Sequence, residues 1–320
     1  MNETSASDTG HSRFAFGRNW KRFLPDVTDA RIALAQDSLR TMLGIDDLRD
    51  KCFLDIGSGS GLFSLAAKKL RSPRVFSFDY DHDSVACTRA LKERFFTADD
   101  SWQIEQGSVL DPEYMGRFRD YDVVYSWGVL HHTGAMWTAL ANAALPVAMD
   151  GRLYVAIYND QGCMSAIWRQ IKRIYCSGAA GKAFILATVL PALVVGRGAK
   201  DIIGGRSQLA RYSVEYSRTS RGMSPLRDIV DWLGGYPFEV ARPEQLSDFY
   251  QQRGFALDRL KAASGTGCHE LVFTRRAPAS GAGGKAGLQR DGTTRGSTTF
   301  GAPGTYTPPI GPGRVRARGA

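Results

Sequence analysis

The chain has 320 residues, 43% of them hydrophobic and 23% charged, which supplies enough apolar material for a packed core and too much for a disordered protein. Its net charge of +9 points first at nucleic acid, but the stretch from Pro278 to Ala320 holds six Lys and Arg against one Asp, so five of those charges belong to a tail. The five cysteines, at 52, 87, 163, 176 and 268, include no Cys-x-x-Cys pair and no His at zinc spacing, so no metal site is expected and a reduced cytoplasm is the simplest setting. Met1 to His11 are polar, without the basic start and apolar run of a secretory leader.

The first apolar pattern runs from Phe14 to Leu43. Phe16, Trp20 and Phe23, followed by Ile32, Leu34, Leu39 and Leu43, predict a helical pair within residues 1–45, either as plain packing or lying across a ligand cleft. Next, Phe53-Leu54-Asp55-Ile56 reads as a strand that opens into Gly57-Ser58-Gly59-Ser60-Gly61 and then a helix from Leu62 to Leu70. Glycines at these places let backbone approach a ligand without a Cβ in the way, and the N–H groups at the start of the helix point back at it. The spacing is not the G-x-G-x-x-G of a dinucleotide site, because position 62 is Leu. Arg74 to Asp79 predicts a second buried strand ending in an acid, placed to accept both hydrogen bonds of a ribose diol, and Tyr80 beside it offers a flat face for adenine. The plainer role for Asp79, capping a helix from His82 to Phe95, is one that Asp81 or Asp83 can fill.

Trp102 to Asp111 reads as a third strand and its loop, Tyr121 to His132 as a fourth strand and loop, Met136 to Ala148 as a helix, and Gly151 to Tyr158 as a fifth strand. Such alternation with short connections predicts a parallel sheet covered on both faces. After Tyr158 the pattern turns helical, at Met164 to Tyr175, Ala183 to Val195, Gln208 to Ser217 and Leu226 to Leu233, before a turn at Gly234-Gly235-Tyr236-Pro237. A helix from Pro243 to Arg253 and strands at Phe255 to Lys261 and His269 to Arg275 close the body. The run Ala183 to Val195 falls short of the about 20 apolar residues that a membrane crossing needs, so it reads as a buried helix kinked at Pro191 or as a helix lying on a membrane surface. Residues 278–320, with eleven Gly and five Pro, predict a disordered tail with an anionic surface as a secondary contact.

From residue 52 to 158 these motifs, in this order, resemble the class I S-adenosylmethionine-dependent methyltransferases. The Asp-x-Gly-x-Gly-x-Gly run at 55–61 is similar to their motif I, and Ser126-Trp127-Gly128-Val129-Leu130-His131-His132 resembles the loop of the small-molecule branch that includes methyltransferases of quinone biosynthesis. The resemblance implies an α/β fold, a Rossmann-like, doubly wound, seven-stranded and mostly parallel sheet with an antiparallel last strand. A helical cap insertion at 159–236 would then lie between core segments 46–158 and 237–277. It implies S-adenosyl-L-methionine as cofactor, held by Asp55, Gly57, Ser58, Gly59, Gly61, Asp79, Tyr80, Ser108, Val109 and Ser126. The family usually carries Asp where this chain has Ser108, so the adenine amino group is expected to meet that hydroxyl or backbone, with Asp111 as second choice.

Methyl transfer demands alignment more than acid–base machinery. A base helps where a hydroxyl or an acidic carbon must lose a proton, and His131 and His132 are the candidates; the alternative is that His132 bonds backbone while His131 lines the pocket. Trp127, Tyr158 and Asn159 are expected to line the acceptor pocket under an apolar lid of Phe184, Ile185, Leu186, Val189 and Leu193. A small hydrophobic or aromatic acceptor, methylated at oxygen or carbon, is the expected partner. Neither an Asn/Asp-Pro-Pro-aromatic motif nor a Pro-Cys nucleophile is present, which argues against nucleic acid. RNA or another macromolecule as acceptor, and a non-catalytic adenosylmethionine-binding role, are the alternatives. The expected location is cytoplasmic, with a weak membrane-surface contact as the variant reading.

Overall fold

A computed structural model describes residues 17, 20, 23–203 and 232–277. Seven strands, β1 (Phe53–Ile56), β2 (Val75–Asp79), β3 (Trp102–Gln106), β4 (Tyr121–Trp127), β5 (Val147–Tyr158), β6 (Phe255–Lys261) and β7 (Cys268–Arg275), form one sheet in the order β3-β2-β1-β4-β5-β7-β6. The first five are parallel, and β7 runs antiparallel to both β5 and β6. All four residues of β1 are buried, as expected of a central strand covered on both faces. The chain builds outward from β1 to β3 and then returns to the other side of β1 with β4. That reversal leaves a crevice at the carboxyl ends of β1 and β4, where open α/β sheets bind ligands.

The helices are α1 (Asp29–Leu43), α2 (Leu62–Lys69), α3 (His82–Phe95), α4 (Pro112–Gly116), α5 (Met136–Ala144), α6 (Cys163–Cys176), α7 (Ala179–Ile203) and α8 (Pro243–Gln251). On one face of the sheet Ile56, Phe78, Val124 and Phe273 pack with Leu140 of α5 and Tyr250 of α8. On the other, Phe53, Val75, Trp102 and Tyr154 pack with Leu39 of α1 and Leu65 of α2. Alternate residues of one strand thus serve opposite layers.

Several boundaries differ from the sequence reading. The helix expected to reach Ala148 stops at Ala144, and β5 begins at Val147 instead of Gly151, because Val147 already pairs with Tyr121. The register then shifts between Tyr121 and Val123, Asp150 takes a left-handed φ of 57°, and a Cβ at Gly151 would meet the Ala148 and Tyr121 carbonyl oxygens at 2.9 and 3.0 Å. A bulge of this kind splits the strand, so its first half reads as the end of an apolar helix. In the amino-terminal segment Gly17, Trp20 and Phe23 are helical ahead of a 3₁₀ turn at Leu24–Asp26 and α1; Phe14 and Phe16 lie outside the described residues. So do the expected helix at 208–217, most of that at 226–233, and the tail at 278–320. Among the described residues no helix is long and apolar enough to cross a membrane.

A buried polar chain joins four elements beneath the glycine turn. The Trp102 indole N–H donates to Ser77 Oγ at 2.9 Å, the Ser77 hydroxyl donates to Ser64 Oγ at 2.7 Å, and Ser64 in turn donates to the Asp55 carboxylate. Each member is buried, so each needs its partner. Ser77→Ala leaves the Trp102 N–H without an acceptor and should lower stability by about 1–3 kcal/mol in urea unfolding. Adding Trp102→Phe removes the stranded donor. The double variant should therefore lose less than the two single losses added together, and strict additivity would show that the hydrogen bond contributes nothing.

Candidate active site

β1 ends at Ile56 and the chain turns through Gly57, Gly59 and Gly61, all with left-handed φ (78°, 55° and 81°), before α2 begins at Leu62. The amides of Gly57 and Ser58 both donate to the Phe78 carbonyl, at 2.8 and 3.0 Å, which fastens the start of the turn to β2. A Cβ at Gly57 would lie 2.5 Å from the methyls of Val129, in the loop after β4. One at Gly59 would lie 3.0 Å from the Trp20 indole nitrogen. Ser58 hydrogen-bonds Thr88 of α3 at 2.9 Å through its hydroxyl, so its side chain faces the protein.

Asp79 closes β2 against this turn. Its carboxylate accepts the Gly59 amide on Oδ2 and the Asp81 amide on Oδ1, each at 2.9 Å, leaving lone pairs on both oxygens for further donors. The cap of α3 is Asp81, which accepts from Asp83 and Ser84, so Asp79 has no capping duty. Tyr80 is 62% exposed beside it. Burial raises the Asp79 carboxyl to about 6, opposed by the amides of Asp81 and Gly59. Asp55, one layer deeper, is raised to about 7 by burial, with the Ser64 hydroxyl pulling the other way and the Asp79 charge adding to the rise. Asp55 therefore supports the turn from below.

The end of β3 completes this wall. The Gly107 amide donates to the Asp79 carbonyl at 3.0 Å, the Ser108 hydroxyl accepts the Leu110 amide at 3.2 Å, and Val109 is buried, its carbonyl accepting from Asn142 at 2.8 Å. Asp111 is occupied as the cap of α4, accepting from Glu113 and Tyr114. At the end of β4 the Ser126 hydroxyl donates to the Ile56 carbonyl at 3.0 Å, a tie between strands, and Trp127 is half-buried.

Beyond Trp127, Leu130–His132 makes a 3₁₀ turn. The His131 ring lies 4.1 Å from that of Tyr158, the last residue of β5, and 4.4 Å from that of His132. His132 donates from Nδ1 to the Pro237 carbonyl at 2.7 Å, which leaves Nε2 as the basic nitrogen. Burial is the main cause that takes His132 down to about 3 and His131 well below its ordinary value, and the neighbouring Lys172 charge pushes both the same way. Both imidazoles are neutral at physiological pH and poorly basic, which makes either a weak proton acceptor. Asn159 faces away from this group, donating to the Gly265 carbonyl at 3.1 Å and meeting His269 Nε2 at 2.9 Å.

Residues 28–178 match the family model of a methyltransferase domain, a span that runs from α1 to α6 and contains the glycine turn, Asp79, the end of β3 and the loop after β4, but neither Trp20 nor Pro237. This part of the chain is similar to a methyltransferase domain. Similar solved structures include magnesium protoporphyrin IX methyltransferase from Synechocystis PCC 6803 with bound SAH, 12% identical over 81% of this chain and 94% of that one, with a TM-score of 0.49. An O-methyltransferase family protein from Burkholderia thailandensis is 12% identical over 82% of this chain and 61% of that one, with a TM-score of 0.48. A SAM-dependent methyltransferase from Anabaena variabilis is 12% identical over 82% and 94%, with a TM-score of 0.47. No curated protein matches the sequence.

The helices after β5 depart from the expected lid. Ile185 of α7 is buried against Tyr175 and Leu233, with Leu186 and Val189 packed around them, while Phe184 is exposed; the side chain of Leu193 lies outside the described residues. The apolar run thus packs α7 onto α6. The side chain that reaches the sheet edge is Lys172 of α6, fully buried, its Nζ 4.4 Å from the Trp232 ring centre, 4.9 Å from that of Phe238 and 5.8 Å from that of Tyr158. Nothing at the sequence level marks it among the other basic residues of α6, save that Trp168 stands one helical turn before it on the same face.

The Asp55 shift has a measurable consequence. The folded protein holds a proton there up to about pH 7, whereas the unfolded chain releases it near 3.8, so this contribution to stability is full below 3.8 and lost as pH rises to about 7. Relative to Asp55→Asn, which does not titrate, cofactor-free wild type should lose thermal stability between about pH 5 and pH 8. A difference in melting temperature that stays constant over that range would assign Asp55 an ordinary carboxyl.

Proposed function

We propose that the protein transfers a methyl group from S-adenosylmethionine to a small hydrophobic or aromatic acceptor, at oxygen or carbon, with the cofactor along Gly57–Gly61, Asp79, Tyr80 and Ser108–Val109. The acceptor lies beyond Trp127, beside His131, His132 and Tyr158. The observation that carries this reading is Asp79: a half-buried carboxylate fixed by two amides at the rim of the glycine turn, with lone pairs remaining and an exposed aromatic ring next in sequence. Those features fit a ribose diol and an adenine. The three left-handed glycines fit a ligand that backbone must approach closely.

When bound, the cofactor supplies an electrophilic methyl on a sulfonium that is already a good leaving group. The protein's part is placement. The glycine turn and Asp79 fix the nucleoside end, Val129 seats the post-β4 loop against Gly57, and the aromatic group of Tyr158, His131 and Phe238 keeps water from the acceptor end. The neutral histidines serve better as shape and hydrogen-bonding groups than as bases.

Two measurements test this. Asp79→Ala removes a charge-assisted acceptor and should weaken S-adenosylmethionine binding by roughly 1.5–3 kcal/mol in calorimetric titration of the folded variant. Because Asp79 ionises near 6, wild-type affinity should also climb between about pH 5 and pH 7, and Asp79→Asn should flatten that climb. Unchanged binding in both variants removes Asp79 from the site. Labelled cofactor incubated with separate metabolite, lipid and RNA extracts should label the metabolite fraction, and label confined to RNA would replace the small-molecule reading.

A further inference from the structure

Among the described residues, the cluster around Lys172 contains hydrogen-bond donors that meet no acceptor. The Lys172 ammonium is buried without a hydrogen bond or ion pair among the described residues, and the indole nitrogens of Trp168 and Trp232 are buried and equally unsatisfied. The two indoles meet edge to face at 4.3 Å, and Trp232 lies over Lys172. The described groups whose charge reaches Lys172 form no hydrogen bond or ion pair with it. His131 and His132 are neutral, and Cys176 and Cys268 are thiols whose charges would only weakly favour the ammonium. Glu239 is engaged by the Met136 amide, and Arg169 donates to the Phe238 carbonyl.

Ring faces attract a cation but do not accept three N–H bonds in the way oxygen does. A lysine kept only to fill this space would be replaced to advantage by methionine, since burial of an ammonium without a carboxylate is costly. Burial indeed lowers its pKa to about 7. Among the described residues, the site lacks one thing, an oxygen that carries negative charge.

Resting on the methyl-transfer reading above, we propose that Lys172, Trp168 and Trp232 form a subsite for an acidic oxygen of the methyl acceptor, a carboxylate or a phenolate on an aromatic or hydrophobic body. The Tyr158 ring joins this subsite to His131 at the end of the crevice, and with Phe238 it forms the wall for that body. An acid that enters protonated can pass its proton to the neutral amine: the O–H bond breaks, the N–H bond forms, and the product is a buried ion pair that needs no other reactant.

The test is calorimetric titration of the full chain, saturated with S-adenosylhomocysteine, with benzoate against benzamide and with 4-nitrophenolate against nitrobenzene. At least one anion should bind roughly tenfold or more tightly than its neutral isostere, a preference that Lys172→Arg keeps and Lys172→Met abolishes. The arm that responds identifies the oxygen as carboxylate or phenolate. Equal binding of anion and neutral isostere in both arms, or an undiminished preference in Lys172→Met, overturns the proposal. Should Lys172→Met fail to fold, Trp232→Phe keeps the ring and removes one donor. It should weaken the preferred anion severalfold and leave the neutral isostere unchanged, and an unaltered anion affinity there also overturns the proposal. S-adenosylhomocysteine binding is read in the same experiment: its absence defeats the methyl-transfer reading, whereas its presence without anion preference defeats only the subsite.

Discussion

The arrangement of the crevice depends on the buried chain from Trp102 through Ser77 and Ser64 to Asp55. It crosses from β3 to β2 to α2 to β1, so it fixes the depth at which the glycine turn leaves the sheet. Hydrogen bonds in a low-dielectric interior are costly to leave half-made, and this chain is satisfied along its length. Above it the turn holds Asp79 through the Gly59 amide, and Asp79 in turn holds Asp81, which caps α3. Sheet, turn and the following helix are thereby tied by polar contacts that hydrophobic packing alone would not orient.

Burial acts in opposite directions at the two ends of the crevice. Near the turn it favours the protonated forms of Asp55 and Asp79; near the β5 end it favours the neutral forms of His131, His132 and Lys172. Burial therefore lowers the charge that these groups carry near neutral pH. Charge is drawn out by partners of opposite sign, and a cation at one end and an acid at the other each supply what the desolvated group lacks.

Much of the fold is legible in the sequence because its signals are local. The helix at His82–Phe95 and the strand at Phe255–Lys261 have the expected bounds, marked by Asp81 before the one and by the apolar start of the other. The start of β5 was not legible, since the bulge at Asp150 and Gly151 is set by the pairing of Val147 with Tyr121, a contact between distant residues. At the site, the glycine turn and Asp79 are adjacent to recognisable strands. Ser64 and Ser77 were readable as hydroxyls inside apolar runs, though only the fold shows that they meet. Lys172 gave no such sign, because its burial depends on Phe238 and Trp232, more than fifty residues away in sequence.

The three glycines of the turn are crowded by three different kinds of neighbour, and this decides how a mutation at each could be repaired. At Gly57 the obstacle is the Val129 side chain, and at Gly59 the Trp20 indole; both can be trimmed by a second substitution, leaving only the backbone strain of a left-handed alanine, about 1–3 kcal/mol. At Gly61 the obstacle at 2.9 Å includes the Cα of Thr88, which no change of side chain removes. Second-site revertants should therefore arise for the first two positions and be missing for the third, so that Gly61 tolerates no drift even when its neighbours are free to change.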